Sequence, residues 1–144
     1  MARRLQVGLR ITLALGWLCV ALAKLLTPAN DSWREAGARI GLGEASGQLA
    51  FWVVIGGECG IGIGLFVRRS RHTVAWLSLL WAGMAGIARP AAMGHVFRHD
   101  CGCLGAFGAG LGRGGVAVVS IGFMFASYIV ILGARRWHRP QGRE

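Results

Sequence analysis

The chain has 144 residues, enough for one compact unit, and 54% of them are hydrophobic while 15% are charged, where a soluble domain carries about a quarter charged. Mean hydropathy is +0.52, and the apolar residues fall into long runs separated by short charged segments, which is the pattern of membrane-spanning helices. The net charge of +10 does not point to nucleic acid, because Lys and Arg gather at the ends of the apolar runs instead of lining one face.

The first run covers about 5–26, follows Arg3 and Arg4, and is interrupted by Arg10 and Lys24. It is long for the apolar part of a signal peptide, and no small-x-small cleavage site with a soluble chain follows, so it reads as a first membrane helix that stays in place. The second run covers about 50–67 with Glu58 inside it. The third covers about 73–93, with Arg89 and Pro90 near its far end, and the fourth about 115–134. Each approaches the roughly 20 residues needed to cross the hydrocarbon core. None alternates in the manner of a barrel strand, and only helices or closed barrels can cross, so the predicted fold is all-α: a single four-helix transmembrane bundle over 1–144.

Orientation follows from the basic residues of the short segments. Arg3, Arg4 and Arg10 open the chain, Arg68, Arg69 and Arg71 fill the connection between the second and third runs, and Arg135, Arg136, Arg139 and Arg143 end it. Four helices put these three segments on one side, predicted to be cytoplasmic with both termini. Segments 27–49 and 94–114 balance Arg34, Arg39, Arg98 and Arg113 with Asp31, Glu35, Glu44 and Asp100, and are predicted to lie outside. The expected location is a bacterial-type cytoplasmic (inner) membrane, crossed several times. Gly56, Gly60 and Gly64 stand four apart in the second run, a spacing that lets helices approach closely, here read as packing within the bundle in preference to homodimerisation.

Three groups of residues carry chemical potential. Cys101-Gly102-Cys103 falls in the second outer segment. A disulfide across that spacing closes a very small, strained ring, and strained, exposed disulfides are the labile or catalytic ones. Gly102 eases the turn, Arg98 and His99 favour the thiolate, and Asp100 opposes them. The bland alternative is a static turn disulfide or two inert thiols. The same region offers His95, His99, Cys101 and Cys103 as a zinc-type ligand set, although the cysteine spacing is shorter than in usual zinc motifs. Lys24 and Glu58 form the second group. Lys24 is near enough to a helix end to snorkel to the interface. Glu58 lies deeper and requires a partner, for which Lys24 and Arg89 are the candidates. Cys19 and Cys59 form the third, either a second redox pair within the membrane or two small apolar residues.

Taken together, Ala23-Lys24-Leu25-Leu26-Thr27-Pro28, Glu58 with the stretch 60–65, and Cys101-Gly102-Cys103-Leu104-Gly105 resemble the MauE/DoxX-like family of redox-associated membrane proteins. The Cys-Gly-Cys element is the most specific part, and Leu104 stands where the family usually has Phe. The resemblance implies thiol–disulfide chemistry outside the cytoplasm and a thioredoxin-like or other disulfide-containing partner; the family's namesake is associated with maturing the disulfide-rich small subunit of methylamine dehydrogenase. The functional expectation is a membrane thiol–disulfide oxidoreductase or electron relay, with Cys101 and Cys103 as the reacting pair and Cys101 favoured as attacker. Lys24, Glu58, Arg89 and His99 support it. A bilayer quinone is one route for the electrons and Cys19 with Cys59 another. The alternatives are a thiol- and His-based metal-binding or transport protein and a noncatalytic membrane subunit of an oxidase complex.

Overall fold

The computed structural model describes residues 2–26, 29–67, 70–92 and 106–136. They are all-helical, in five helices: α1 (Ala2–Leu25), α2 (Ala29–Arg39), α3 (Glu44–Phe66), α4 (Arg71–Ala92) and α5 (Ala106–Arg136). Four long helices coincide with the four apolar runs. All four begin earlier in the chain than the apolar residues do, because a helix continues past the point where its surroundings change. Among the described residues two helices are long and apolar enough to cross a membrane, over Arg4–Leu25 and Glu44–Phe66, and α5 contains a shorter apolar stretch, Ala117–Gly133.

The long helices form a ring in which α1 packs on α3 and α5, and α4 packs on the same two. Contacts along each pair run in opposite directions. Gly62 of α3 meets Ala14 and Leu18 of α1, whereas Phe51 and Ile55 meet Ala21. Gly64 meets Val74 and Gly57 meets Trp81 across α3 and α4. Ser127 of α5 meets Ser78 of α4, and Ser120 meets Gly86. Neighbours in the ring are therefore antiparallel. The start of α1, the end of α3, the start of α4 and the end of α5 share one end of the ring, and the end of α1, α2, the start of α3, the end of α4 and the start of α5 belong to the other.

Segment 27–49, expected as a loop, contains α2. Its polar, charge-balanced sequence suits a short surface helix, with Arg39 bonded to Glu35 one turn earlier at 2.6 Å. The helix ends because Gly41 takes a left-handed conformation at φ 77°, so that the Leu42 N–H returns to the Gly37 carbonyl and the Gly41 N–H to that of Ala38. Gly43, also left-handed at φ 82°, then turns the chain into α3. The two helices touch backbone to backbone: a β-carbon at Gly47 would collide with the Trp33 carbonyl. Arg34 and Glu44 join them by an ion pair of 2.5 Å.

The core of the ring is an apolar cluster of Leu13, Ala14, Trp17, Ile61, Leu65, Val74, Ala75, Ala82, Val130 and Ile131. Trp17 crosses it, edge-on to Phe123 at 4.8 Å between ring centroids. One line of polar groups also runs through the interior. The Trp17 indole N–H donates to Ser78 Oγ at 2.7 Å, Ser78 and Ser127 are 2.8 Å apart, and Ser127 Oγ donates to the Phe123 carbonyl at 2.7 Å. Because Ser127 has committed its only hydrogen to Phe123, Ser78 must donate to Ser127. The chain of donors is thus one-way, and it ties α1, α4 and α5 together with each buried hydroxyl satisfied.

The glycines of α3 divide by function. Gly57, Gly62 and Gly64 have no room for a β-carbon beyond a neighbour's atoms at 2.8 Å, whereas Gly56 and Gly60 face open space. Internal packing therefore explains Gly64 but not the Gly56–Gly60 repeat. Gly62→Val is expected to drive α1 from α3 and cost about 1–3 kcal/mol, while Gly60→Val leaves stability nearly unchanged; thermal unfolding of both variants in detergent micelles makes the comparison.

Candidate functional site

Lys24 lies in the last turn of α1 and Glu58 near the middle of α3. In an antiparallel pair their side chains lean towards one another, because each Cα–Cβ bond tilts towards the N-terminus of its own helix. Lys24 thus leans back along α1, deeper into the ring, while Glu58 leans the other way. The ammonium Nζ is hydrogen-bonded and ion-paired to Glu58 Oε1. Both groups are buried, with side-chain exposures of 1% and 4%. This corrects the expectation that Lys24 can snorkel to the interface: the side chain points away from the helix end, and burial is the result. Of the two partners considered for Glu58, the structure selects Lys24. Arg89 lies in α4, but its side chain is outside the described residues.

Two tryptophans complete the surroundings. The Trp81 indole stands beside the Glu58 carboxylate as a neutral donor. It can come this close because residue 57 is glycine, whose missing β-carbon is where the ring edge lies. Trp33 of α2 packs on a second cluster, Ala21, Phe51 and Ile55, at the α2 end of the α1–α3 pair. Its ring centroid is 6.5 Å from that of Phe51. The ion pair is therefore held between the main core and this smaller one. Sequence reasoning identified the two charges but missed Trp81. The available signal was position: Trp81 falls in the middle of an apolar run, away from the interfaces where such rings prefer to sit.

Both Cys19 and Cys59 are free thiols. Cys19 is exposed on the face of α1 that also carries Leu15 and Leu22, and Cys59 is half-buried against the Ala21–Phe51–Ile55 cluster. Cys101, Cys103, His95 and His99 lie outside the described residues. Among the described residues no three His, Cys, Asp or Glu side chains come together as a metal site.

The chain's relationships are consistent with a buried charge pair in an apolar helical protein. The sequence model of methylamine utilisation protein MauE matches residues 2–135, nearly the whole chain. The chain belongs to the MauE family. MauE proteins are membrane proteins, which accounts for the apolar exterior of this one: Leu15, Leu22, Trp52, Val53, Ile63, Leu80 and Ile121 are all exposed on the long helices. No curated protein and no solved structure matches the chain.

Removing one member of a buried ion pair leaves an uncompensated charge, whereas removing both does not. Lys24→Met alone is expected to cost about 3–5 kcal/mol of stability, and Lys24→Met combined with Glu58→Leu to restore most of that loss. A double-mutant cycle of unfolding in mixed micelles measures it; a loss in the double variant equal to the sum of the two single losses would show that the charges are not coupled.

Proposed function

We propose that this MauE-family protein is a four-helix transmembrane bundle that exchanges electrons with protein disulfides outside the cytoplasm through Cys101 and Cys103. The observation that carries the reading is the Cys101-Gly102-Cys103 sequence in the α4–α5 link of a chain that belongs to this membrane family. The antiparallel ring supports the arrangement. It gathers the three most basic segments at one end, and by the excess of Arg there that end is cytoplasmic, in a bacterial-type inner membrane. The α4–α5 link then belongs to the opposite, oxidising side, where disulfides persist.

The chemistry is a balanced thiol–disulfide exchange. In the reducing direction the Cys101 thiolate attacks one sulfur of a partner's disulfide, forming a mixed disulfide and releasing the partner's other sulfur as a thiolate. Cys103, as thiolate, then attacks the Cys101 sulfur, closing the Cys101–Cys103 bond and freeing the partner. Two electrons and two protons pass to the partner. The reverse sequence delivers a disulfide to it. A thioredoxin-like or disulfide-containing protein is the partner this chemistry requires, and Lys24 and Glu58 fix α1 to α3.

The test is thiol labelling in intact membranes, before and after mild reduction, read as a mass shift. Cys101 and Cys103 are expected to label only after reduction, and Cys103→Ser to accumulate a mixed disulfide through Cys101. If both thiols label without reduction and zinc or copper blocks them, a metal site replaces the redox reading. If Cys101→Ser leaves the disulfides of exported proteins unchanged, the chain is not their oxidoreductase.

A further inference from the structure

Arg10 lies inside the apolar span Arg4–Leu25, six residues beyond its start and so about 9 Å along the helix axis. The residue is half-buried. Its Nε is enclosed, and among the described residues neither an ion pair nor a hydrogen bond holds the guanidinium. Lys24, on the same helix, leans towards the middle of the ring and meets Glu58. The same tilt towards the helix N-terminus carries Arg10 outwards, to the rim where α1 begins. A charge at that depth reaches for the interface and for a partner there.

The rim itself supplies no acidic side chain among the described residues. Asp31, Glu35 and Glu44 lie at the other end of the ring, and Glu58 is spent on Lys24. Arginines gather there instead. Arg3, Gln6 and Arg10 share one face of α1, and Gln6 lies against Gly133 of α5. Gly16 meets Phe123 farther along the same antiparallel pair, so Arg3 and Arg4 stand level with Arg135 and Arg136. Arg71 opens α4 at the same rim. Cations concentrated in this way repel one another and draw in an anion. A guanidinium presents its N–H groups as a fork that matches the oxygens of a phosphate. With Nε enclosed, the two terminal amino groups of Arg10 are the ones left to meet it. Phosphate is also the anion that a membrane surface offers, and basic pockets between membrane helices hold phospholipid headgroups.

We propose that the arginine rim around Arg10 is a binding site for a phosphate group, carried by the headgroup of an anionic phospholipid or by a soluble phosphate. Arg10 donates to the phosphate oxygens, and the neighbouring arginines supply the field that attracts it. The site rests on the transmembrane reading of the ring and is independent of the thiol chemistry of Cys101 and Cys103.

The experiment places the full chain in nanodiscs of phosphatidylcholine, with and without phosphatidylglycerol, and counts retained lipid by native mass spectrometry. The wild type is expected to retain phosphatidylglycerol in preference, and Arg10→Gln to bind it about tenfold more weakly, the loss of one charged hydrogen bond. Arg10→Lys falls between, keeping the charge without the fork. Arg34→Gln removes one positive charge at the other end and is expected to leave retention unchanged. Inorganic phosphate is then added to the discs of phosphatidylcholine alone. If phosphatidylglycerol is not preferred but phosphate raises the melting temperature of the wild type and not of Arg10→Gln, the group bound is a soluble phosphate. Retention by Arg10→Gln equal to that of the wild type, or reduced equally in Arg10→Gln and Arg34→Gln, overturns the proposal. So does a wild type that neither prefers phosphatidylglycerol nor responds to phosphate, an outcome that holds even if Arg10→Gln does not fold. A chain that stays outside the disc overturns the transmembrane reading together with the site, whereas one that enters and shows neither response brings down the site alone.

Discussion

A charge inside an apolar bundle must find its opposite, and this constraint organises the structure around Lys24 and Glu58. Neither group can be solvated where it lies, so α1 and α3 are held in the one register that joins them. The lean of side chains towards their own helix N-termini makes the pairing possible only between antiparallel neighbours with Lys24 placed beyond Glu58 along α1. A parallel pair, or a shift of one turn, would leave both charges exposed to hydrocarbon. Electrostatics and packing specify the same register here, for Gly62 meets Ala14 and Leu18 in the alignment that joins Lys24 to Glu58.

The rest of the interior conforms to that register. Gly62 lets α1 approach, Gly57 admits Trp81 beside the carboxylate, and Gly64 receives Val74. Farther along the ring the donor chain from Trp17 through Ser78 and Ser127 to the Phe123 carbonyl couples α1, α4 and α5 without any charge. The two polar systems act on different helix pairs. The ion pair joins α1 to α3, the serines join α4 to α5, and Trp17 links the second system back to α1. Hydrogen bonds of this kind contribute modestly in a membrane, but they are directional, and each fixes the rotation of a helix about its axis.

Much of this was legible in the sequence. The four apolar runs give four long helices, because hydrophobic length is a property of composition alone. The need of Glu58 for a cationic partner was also legible, since a buried carboxylate has few acceptable neighbours. What the sequence did not reveal depended on direction. Lys24 could be read as snorkelling outwards until the tilt of its Cα–Cβ bond was considered together with the polarity of α1. The glycines of α3 looked like one repeat at a spacing of four, but helical phase separates them: Gly62 and Gly64 meet other helices while Gly56 and Gly60 do not. Helix α2 was hidden because its mean polarity matches that of a loop, and its stability comes from docking on α3 more than from an apolar face of its own.

The docking of α2 has a consequence for the evolution of the chain. Gly47 and the Trp33 carbonyl touch with no side chain between them, and Arg34 and Gly37 also press their backbones on it, so position 47 answers to the path of α2. Any descendant that acquires a β-carbon at 47 must lift α2 from α3, taking Trp33 off the Ala21–Phe51–Ile55 cluster and uncovering that end of the α1–α3 pair. The absence of a side chain at 47 is thus what seats Trp33 over Phe51, though positions 33 and 47 stand fourteen apart in the chain.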